Sequence, residues 1–322
     1  MSFRLLATAA FAACALAAPL AAQDYPTKPV RVMFGYPPGG PTELIGRAVT
    51  DHLSKALGQP FVLEPKIGGA GIAAGQVAAA APPDGYTLNV AGQALMAVNH
   101  ALYQNMTYEP EKAFVMISML TRFPLVLEVS NKTPVTTYQE FVAWVKTPGH
   151  QSNYGSFGIG GSSHLAGELF KQRLGFQAQH IPYRGQNAIM QGLIQGEIQW
   201  SIDPSTTAVT MQSGKNARLL AVTSAERWRN FPTVPTLTEV GMADAVWYGW
   251  FSLVAPTGTP RPIVDKLNAE VKRGLALPEY ADRLRTLGLE PWTTTPEEAT
   301  AFAAKDRALW TKVVRDHNIK AE

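Results

Sequence analysis

From residue 30 onward, short apolar runs alternate with longer amphipathic stretches, a pattern typical of α/β proteins. In the first unit, the apolar run Val30–Phe34 predicts a buried strand. A turn rich in Gly and Pro follows, and residues 43–57 have helical periodicity that ends at Gly58. Two further strands are predicted at 61–64 and 87–90. This βαβαβ order predicts a parallel sheet with right-handed crossovers.

The same alternation continues to the C-terminus, with no internal repeat and no low-complexity linker. The further predicted strands are 124–129, 152–156, 180–183, 198–202, 218–222 and 250–254. The further predicted helices are 138–146, 163–174, 189–194, 262–275, 280–287 and 295–314. The whole chain is therefore predicted to be α/β.

The N-terminus has the pattern of a secretory signal. Arg4 precedes an apolar run rich in Ala and Leu, and polar residues follow it directly, so residues 1–22 are predicted to be removed after export, with cleavage near Ala22. Cys14 lies inside this run and is the only cysteine in the sequence. The alternative, a lipoprotein with Cys14 lipidated, fits poorly because the apolar run continues beyond the cysteine. The exported chain then contains no thiol and no disulfide.

Length and charge limit the classes of function. The 322 residues leave about 300 after removal of the signal, which is enough for two domains. The net charge is +3 and the basic residues are scattered, so the electrostatic footprint of a nucleic-acid-binding protein is missing. The six histidines are dispersed without the spacing of metal ligands, so we expect neither a metal site nor a cofactor.

Two predicted turns each connect the end of a strand to the start of a helix. Free N–H groups and the positive end of a helix dipole favour anions at such places, and glycine lets a ligand approach the backbone. The candidate ligand-binding residues of the first turn are Tyr36, Pro38, Gly39, Gly40, Thr42 and Glu43. Those of the second turn are Ser156, Phe157, Gly158, Ile159, Gly160, Gly161, Ser162 and Ser163.

A structural interpretation of both turns stays open. In it, Gly and Pro only shape the turns, and Thr42 and Ser162 or Ser163 cap the helices that follow. The second turn also has some likeness to a nucleotide loop, but it lacks both the Gly-Lys-Ser/Thr ending and a complete G-x-G-x-x-G pattern.

A hydrolase is the remote alternative. Serines 156, 162 and 163 lie near His164 in the sequence, and Asp203 would have to complete a triad, but the G-x-S-x-G elbow is absent. The aromatic residues Trp247, Tyr248 and Trp250 are either packed in the core or available to stack on an aromatic ligand.

With these elements in place, the chain closely resembles the solute-binding proteins of tripartite tricarboxylate transporters, the Bug family. The resemblance runs from about Tyr25 to the C-terminus. Its marks are the segments Tyr25–Arg31, Pro37–Thr42, Ala81–Leu88, Ser162–Phe170, His180–Gly185, Leu220–Ser224 and Ala255–Pro260.

The resemblance implies a type II periplasmic-binding-protein fold, in which two α/β lobes are joined by two crossing segments and the ligand lies in the cleft. The expected lobe 1 is discontinuous and comprises residues 24–123 and 251–322, whereas lobe 2 comprises 124–250. The crossings are expected near 123–126 and 247–251.

The resemblance also implies a function: a periplasmic, monomeric binding protein, not an enzyme, that delivers a small carboxylate to membrane permease subunits. A periplasmic sensor for a signalling partner would have the same cleft and stays open. Backbone amides and hydroxyls of the two turns would hold the carboxylate. The additional expected ligand-binding residues are Gln93, Ala94, Tyr183, Asp203 and Trp250.

Several residues depart from the usual family pattern. Glu43 stands where Asp is common, Phe157, Ile159 and Gly161 replace small or polar residues, and Gln93 replaces a small residue. These changes make the predicted pocket more apolar. The hypothesis is therefore a mono- or dicarboxylate with an apolar or aromatic body.

Overall fold

The computed structural model describes residues 25–37, 39–103, 106–242, 245–316 and 319. The predicted signal 1–22, which includes Cys14, and Pro38 of the first turn lie outside the described residues. The strands are β1 Val30–Phe34, β2 Phe61–Pro65, β3 Thr87–Gly92, β4 Phe114–Ser130, β5 Asn153–Ser156, β6 Gln179–Pro182, β7 Trp200–Pro204, β8 Ala217–Val222, β9 Tyr248–Pro256 and β10 Glu290–Pro291.

The helices alternate with these strands, as the sequence pattern predicts. They are α1 Pro41–Leu57, α2 Ile72–Ala79, α3 Asn99–Leu102, α4 Pro110–Ala113, α5 Tyr138–Val145, α6 Ser162–Leu174, α7 Gln186–Gln195, α8 Ser205–Ser213, α9 Arg261–Ala276, α10 Pro278–Thr286 and α11 Pro296–Asp316. A 3₁₀ turn spans Gly69–Gly71, and a π-helical turn spans Ala94–Val98.

The strands form two sheets that share β4. In the first sheet the order is β2-β1-β3-β9-β4, with β10 also on β4; β2, β1 and β3 are parallel, and β9 is antiparallel to both of its neighbours. In the second sheet β4 lies between β7 and β8 and is antiparallel to both. Beyond β7 the sheet continues with β5 and β6, and β7, β5 and β6 are parallel to one another. The predicted parallel βαβαβ unit at the N-terminus is confirmed.

The long strand β4 passes from one sheet to the other. Its residues 114–124 pair with β9, whereas 125–130 pair with β7 and β8. The chain returns to the first sheet when β9 begins at Tyr248. The lobe boundaries stay a prediction, and these two changes of pairing lie at the crossings proposed for them.

Each sheet has its own core. Ile45, Val49 and Leu53 form the buried stripe of α1, which packs on the first sheet together with α9. Trp200 and Phe141 lie in a separate cluster on the second sheet. In the described part of the chain, no helix is both long and apolar enough to cross a membrane.

Candidate functional site

The first loop, residues 35–40 between β1 and α1, ends at a helix without a side-chain cap. Gly40 is the N-cap residue, and Thr42 lies buried at the second helical position, so the interpretation of Thr42 as a cap is wrong. Gly39 has φ +83°, a left-handed conformation that favours glycine. Pro41 occupies the first helical position, where its missing N–H costs nothing.

The first loop already contains an internal carboxylate. Glu43 Oε2 accepts the N–H of Gly39 at 2.7 Å, and Glu43 Oε1 accepts from Arg47 at 2.5 and 2.8 Å. The hydrogen bond from Gly39, and then the Arg47 guanidinium, hold the pKa of Glu43 below its ordinary value. Glu43 is therefore an anion. It lies in the first turn of α1, where a negative charge complements the helix dipole, and so it occupies the place where a ligand anion was expected.

A third glycine-rich turn, residues 68–71, lies beside the first loop. Tyr36 Oη donates to the carbonyl of Ala70 at 3.2 Å, and Asn99 Nδ2 donates to the same carbonyl at 3.2 Å. Gly35 approaches so closely that a Cβ there would overlap the backbone of Gly71. Residues 68–71 follow β2, and the pairing of β2 with β1 brings this turn next to the first loop.

The second loop, residues 157–161 between β5 and α6, is held by its own serines. Ser156 Oγ donates to the carbonyl of Gly158 at 3.1 Å, and Ser163 Oγ accepts the N–H of Phe157 at 3.2 Å. Gly158 and Gly160 have φ +132° and +76°. A Cβ on Gly161 would lie 2.6 Å from the Phe157 ring, so a larger residue at this position would displace that ring.

The helix after the second loop begins with free amides. Its N-cap is Gly161, with no side-chain cap bond, so the interpretation of Ser162 or Ser163 as a cap is wrong. Within the described part of the chain, the N–H groups of Ser162, Ser163 and His164 have no acceptor, whereas that of Leu165 already bonds to the Gly161 carbonyl. Three adjacent donors at the positive end of a helix make an anion-binding position.

Two neutral histidines support the second loop from behind. The rings of His164 and His180 stack with centroids 4.0 Å apart, and Tyr154 and Trp200 continue the stack. His164 Nδ1 accepts the N–H of Gly160 at 3.0 Å, which requires that nitrogen to be unprotonated. Burial lowers the pKa of His164, and burial, followed by repulsion from His164, lowers the pKa of His180 to about 3.

The residues proposed for the remote hydrolase alternative do not form a triad. Ser156 Oγ contacts His180 Nε2 at 2.7 Å, not His164. Asp203 lies on β7, where side chains alternate, so it faces away from Trp200 and from the ring stack that contains His180. Asp203, which is one of the expected ligand-binding residues, is fully buried.

The two halves meet around the loops. A Cβ on Gly185 would lie 4.0 Å from Pro37 Cγ, and a Cβ on Gly160 would overlap Leu102 Cδ1. Leu165 of α6 lies in an apolar cluster formed otherwise by the first half. Leu102 was not predicted at the site, and Gly185 was noted only as part of the family resemblance, because only the folded chain brings α3 and the turn after β6 to the loops.

Several predicted ligand residues are engaged elsewhere. Trp250 is almost fully buried and donates its indole N–H to Asp306 at 2.8 Å, which favours the interpretation that it packs in the core. Gln93 Nε2 donates to the same carboxylate at 2.8 Å and to the Tyr248 carbonyl at 3.2 Å. Ala94, next to Gln93, is buried in the π-helical turn.

The remaining aromatic candidates also have structural partners. Tyr183 Oη donates to Glu197 at 3.2 Å, and its ring fills the space beside Gly192. Trp247 is buried in the core of the second sheet. Tyr248 Oη accepts the N–H of Ala225 at 3.0 Å. Among the described residues, no group of three or more His, Cys, Asp or Glu side chains has the arrangement of a metal site.

Two α/β halves that share β4 and meet around two strand-end loops define a solute-binding protein. The chain belongs to the tripartite tricarboxylate transporter receptor family, whose model matches residues 45–319. A relative from Cupriavidus necator, the UPF0065 protein in the gbd 5' region, is 35% identical over 312 residues, which cover 95% of this chain and 94% of that protein. BugT of Bordetella pertussis is 30% identical over 96% of this chain and 95% of its own length.

Solved structures support the same assignment. The R. palustris protein Rpa4515 with adipate has a TM-score of 0.86 and 30% identity, over 92% of this chain and 99% of that one. MatC from Rhodopseudomonas palustris with bound malate has a TM-score of 0.82 and 29% identity, over 90% and 100%. The expected periplasmic-binding-protein fold and the family resemblance are therefore confirmed.

Proposed function

We propose that this receptor captures a small mono- or dicarboxylate with an apolar body, and that it holds the carboxylate mainly at the second loop. The observation that carries this proposal is the set of three free amides of Ser162, Ser163 and His164 at the start of α6. Fixed N–H dipoles replace the hydration of an anion without a buried cation. Adipate and malate, the ligands of two similar proteins, are both dicarboxylates.

The side chains around this position favour an apolar ligand body. Phe157 and Ile159 are half-buried in the second loop, and Leu102 reaches the same loop from the first half. Tyr36 and Tyr103 lie near each other on the first half, and burial raises the pKa of both phenols, so both stay neutral. Burial of ligand methylene groups against such surfaces stabilises the complex by about 0.8 kcal/mol for each group.

A proline substitution tests the role of the amides directly. Ser162 occupies the first helical position, which accepts proline, and Gly161 before it has φ −69° and ψ 161°, the extended backbone that a following proline requires. S162P removes one donor and keeps the helix, whereas the control S162A removes only the hydroxyl. We expect adipate affinity, measured by titration calorimetry, to fall about tenfold in S162P, the equivalent of ~1.4 kcal/mol, and to change little in S162A.

The ligand class has its own test. A thermal-shift screen of the purified protein should show larger stabilisation by adipate and by aromatic or long aliphatic acids than by citrate or aspartate. The reverse order contradicts the proposed apolar body. Equal affinities of S162P and the wild type contradict the proposed position of the carboxylate instead.

We further propose that the protein works in the periplasm as a monomer that delivers its ligand to tripartite tricarboxylate transporter permease subunits. A ligand that contacts both halves stabilises their closed arrangement about the crossings near 123–126 and 247–251. Small-angle scattering should therefore show compaction with saturating adipate. An unchanged radius of gyration in the presence of bound adipate contradicts hinge closure.

A further inference from the structure

Two buried carboxyl groups lie side by side in the second sheet. The pairing of β4 with β7 places Glu128 opposite Ser201 and Val126 opposite Asp203. Directly paired residues point to the same face of a sheet, so Glu128, Ser201 and Asp203 share one face. Val126 packs there against Ala208, which shows that this face is the one covered by α8. Both acidic side chains have no exposed surface.

The polar atoms of this buried cluster have no partners. Within the described part of the chain, neither oxygen of Glu128 or of Asp203 has a hydrogen-bond partner, and the hydroxyls of Ser201 and of Thr207 on α8 have none either. Ser201 lies beside Asp203 without reaching hydrogen-bonding geometry. A buried polar group that lacks a partner is costly, and a buried charge is more so.

Among the residues that the structure describes, no cation balances the two carboxyl groups. Helices α7 and α8, which cover this face, carry no charged residue. Arg218 of β8 is opposite Val129, hence on the other face, and donates to the carbonyls of Ser130 and Thr133. Glu197, near the start of β7, is bonded by Tyr183.

Two ionised carboxylates offer only acceptors to each other, so the pair is stable only when it holds a proton. Burial, and then the neighbouring Asp203, raise the pKa of Glu128 well above its ordinary range. Burial also raises the pKa of Asp203, to about 7, and the Ser201 hydroxyl opposes part of that effect.

We propose that Glu128 and Asp203 form a proton-holding pair beneath the second loop, and that an anion bound at that loop draws a further fraction of a proton into the pair. The pairing of Gly155 with Ser201, continued by two residues, places Phe157 of the loop alongside Asp203. A nearby negative charge favours the protonated form of a carboxyl group. The second half of this proposal depends on the proposed function, and the first half does not.

The ligand-free protein tests the pair. A carboxyl pKa that is raised by folding contributes stability at low pH, and that contribution is lost as pH rises from about 4 through about 7. We expect the difference in Tm between E128Q or D203N and the exposed control E226Q to shift in favour of E128Q and D203N as pH rises from about 4 to about 7. ¹³C NMR of labelled carboxyl groups should show one that remains protonated at pH 7. Identical pH profiles of E128Q and E226Q, with no protonated carboxyl in the spectra, overturn the proposal.

A bound cation is the competing occupant. If sodium chloride stabilises the wild type more than choline chloride does, and E128Q abolishes the difference, then Na⁺ and not a proton balances the pair. That result overturns the proposal as well.

Calorimetry with adipate tests the coupling. At pH 7, the binding heats in phosphate and in Tris differ by the number of protons exchanged multiplied by the difference between the ionisation heats of the two buffers. We expect net proton uptake in the wild type and less uptake in E128Q, which lacks one carboxyl group of the pair and leaves both loops unchanged. Binding without uptake in the wild type overturns the coupling. If neither adipate nor malate binds, the proposed ligand class and the coupling both fail, whereas the ligand-free titration still decides on the pair.

Discussion

The first and second loops have similar backbone conformations but differ in whether their backbone amides already have acceptors. Each follows a parallel strand, uses glycine at positive φ, and starts a helix whose N-cap residue is glycine without a side-chain cap. In the first loop, however, the Gly39 amide is bonded to Glu43 and Pro41 has no amide to offer. In the second loop, three successive amides are free, and the side chains behind them are neutral.

The comparison shows that the N-terminus of a helix can bind a ligand anion only if no side chain of the protein already accepts its free N–H groups. Glu43 lies one residue further into α1 than Thr42 and folds back on the loop, so the first loop neutralises its own dipole. The equivalent position in α6 is His164, whose Nδ1 also accepts a loop amide but carries no charge. We therefore propose unequal roles for the two loops, whereas the sequence predicts that both hold the ligand through backbone amides and hydroxyls.

Substitution of the left-handed glycines should separate the two loops most strongly. Alanine in this conformation costs about 1–2 kcal/mol. G160A adds an overlap with Leu102, whereas the control G39A has no neighbour within 4 Å of its Cβ. We expect calorimetry to show adipate affinity at least about tenfold weaker in G160A and only about threefold weaker in G39A. If the double variant G160A/L102A recovers part of the adipate affinity, the additional loss in G160A arises from the overlap with Leu102. Equal losses of affinity in G160A and G39A would contradict the unequal roles of the loops.

The neutral histidines should make the second half of the molecule sensitive to acid. A histidine pKa that is lowered by folding contributes stability above the ordinary value of 6.5, and that stability is lost as pH falls toward the folded value, about 3 for His180. H180F keeps a ring between His164 and Tyr154 but cannot be protonated. We expect the difference in Tm between H180F and the wild type to shift by several degrees in favour of H180F as pH falls from 7 to 4, because the buried carboxyl pair is present in both proteins.

The matched control for H180F is H150F, because His150 also contacts an aromatic ring, Trp144, but lies away from both loops. A pH profile of H180F that is parallel to those of the wild type and H150F would show that the ring stack does not determine the acid sensitivity.

Removal of the internal carboxylate should make the first loop more like the second. E43Q keeps the size of the side chain but loses its charge and its ion pair with Arg47. We expect adipate affinity to rise about threefold, because about 0.6 kcal/mol of repulsion is removed. The control R47Q leaves the carboxylate in place and should not raise the affinity. Weaker binding by E43Q would mean that Glu43 helps the ligand, and the comparison of the loops would then fail.

The sequence predicted the strand-helix units and both loops because local patterns determine them. Strand β1 matches the predicted Val30–Phe34, and α1 begins at Pro41 instead of Glu43 because proline is favoured in the first turn. The first part of β4, residues 114–123, was missed because its burial on both faces leaves no alternation of apolar and polar side chains. Helix α8 was missed because its Ser- and Thr-rich sequence has little helical periodicity.

The positions of the loops could be predicted from the sequence, but the side chains that contact them could not. His164 and His180 are sixteen positions apart, and only the pairing of β5 with β6 brings their rings together. The bond from Gly39 to Glu43 depends on a rotamer that one sequence does not reveal. Asp203 and Trp250 were expected to contact the ligand. Their neighbours, Glu128 on β4 and Asp306 on α11, are distant in the sequence and could not be predicted from it.

The smallest expected effect concerns the apolar body of the ligand. Ile159 is half-buried in the second loop, so I159S should remove part of the burial of the adipate methylenes, about 0.5 kcal/mol or a twofold loss of affinity. Malate has a shorter body and should lose less. Competition calorimetry that compares the two ligands on one protein sample resolves a twofold change in their ratio, because errors in protein concentration cancel. An unchanged ratio would place Ile159 outside the ligand envelope and leave Phe157 and Leu102 as the apolar contacts.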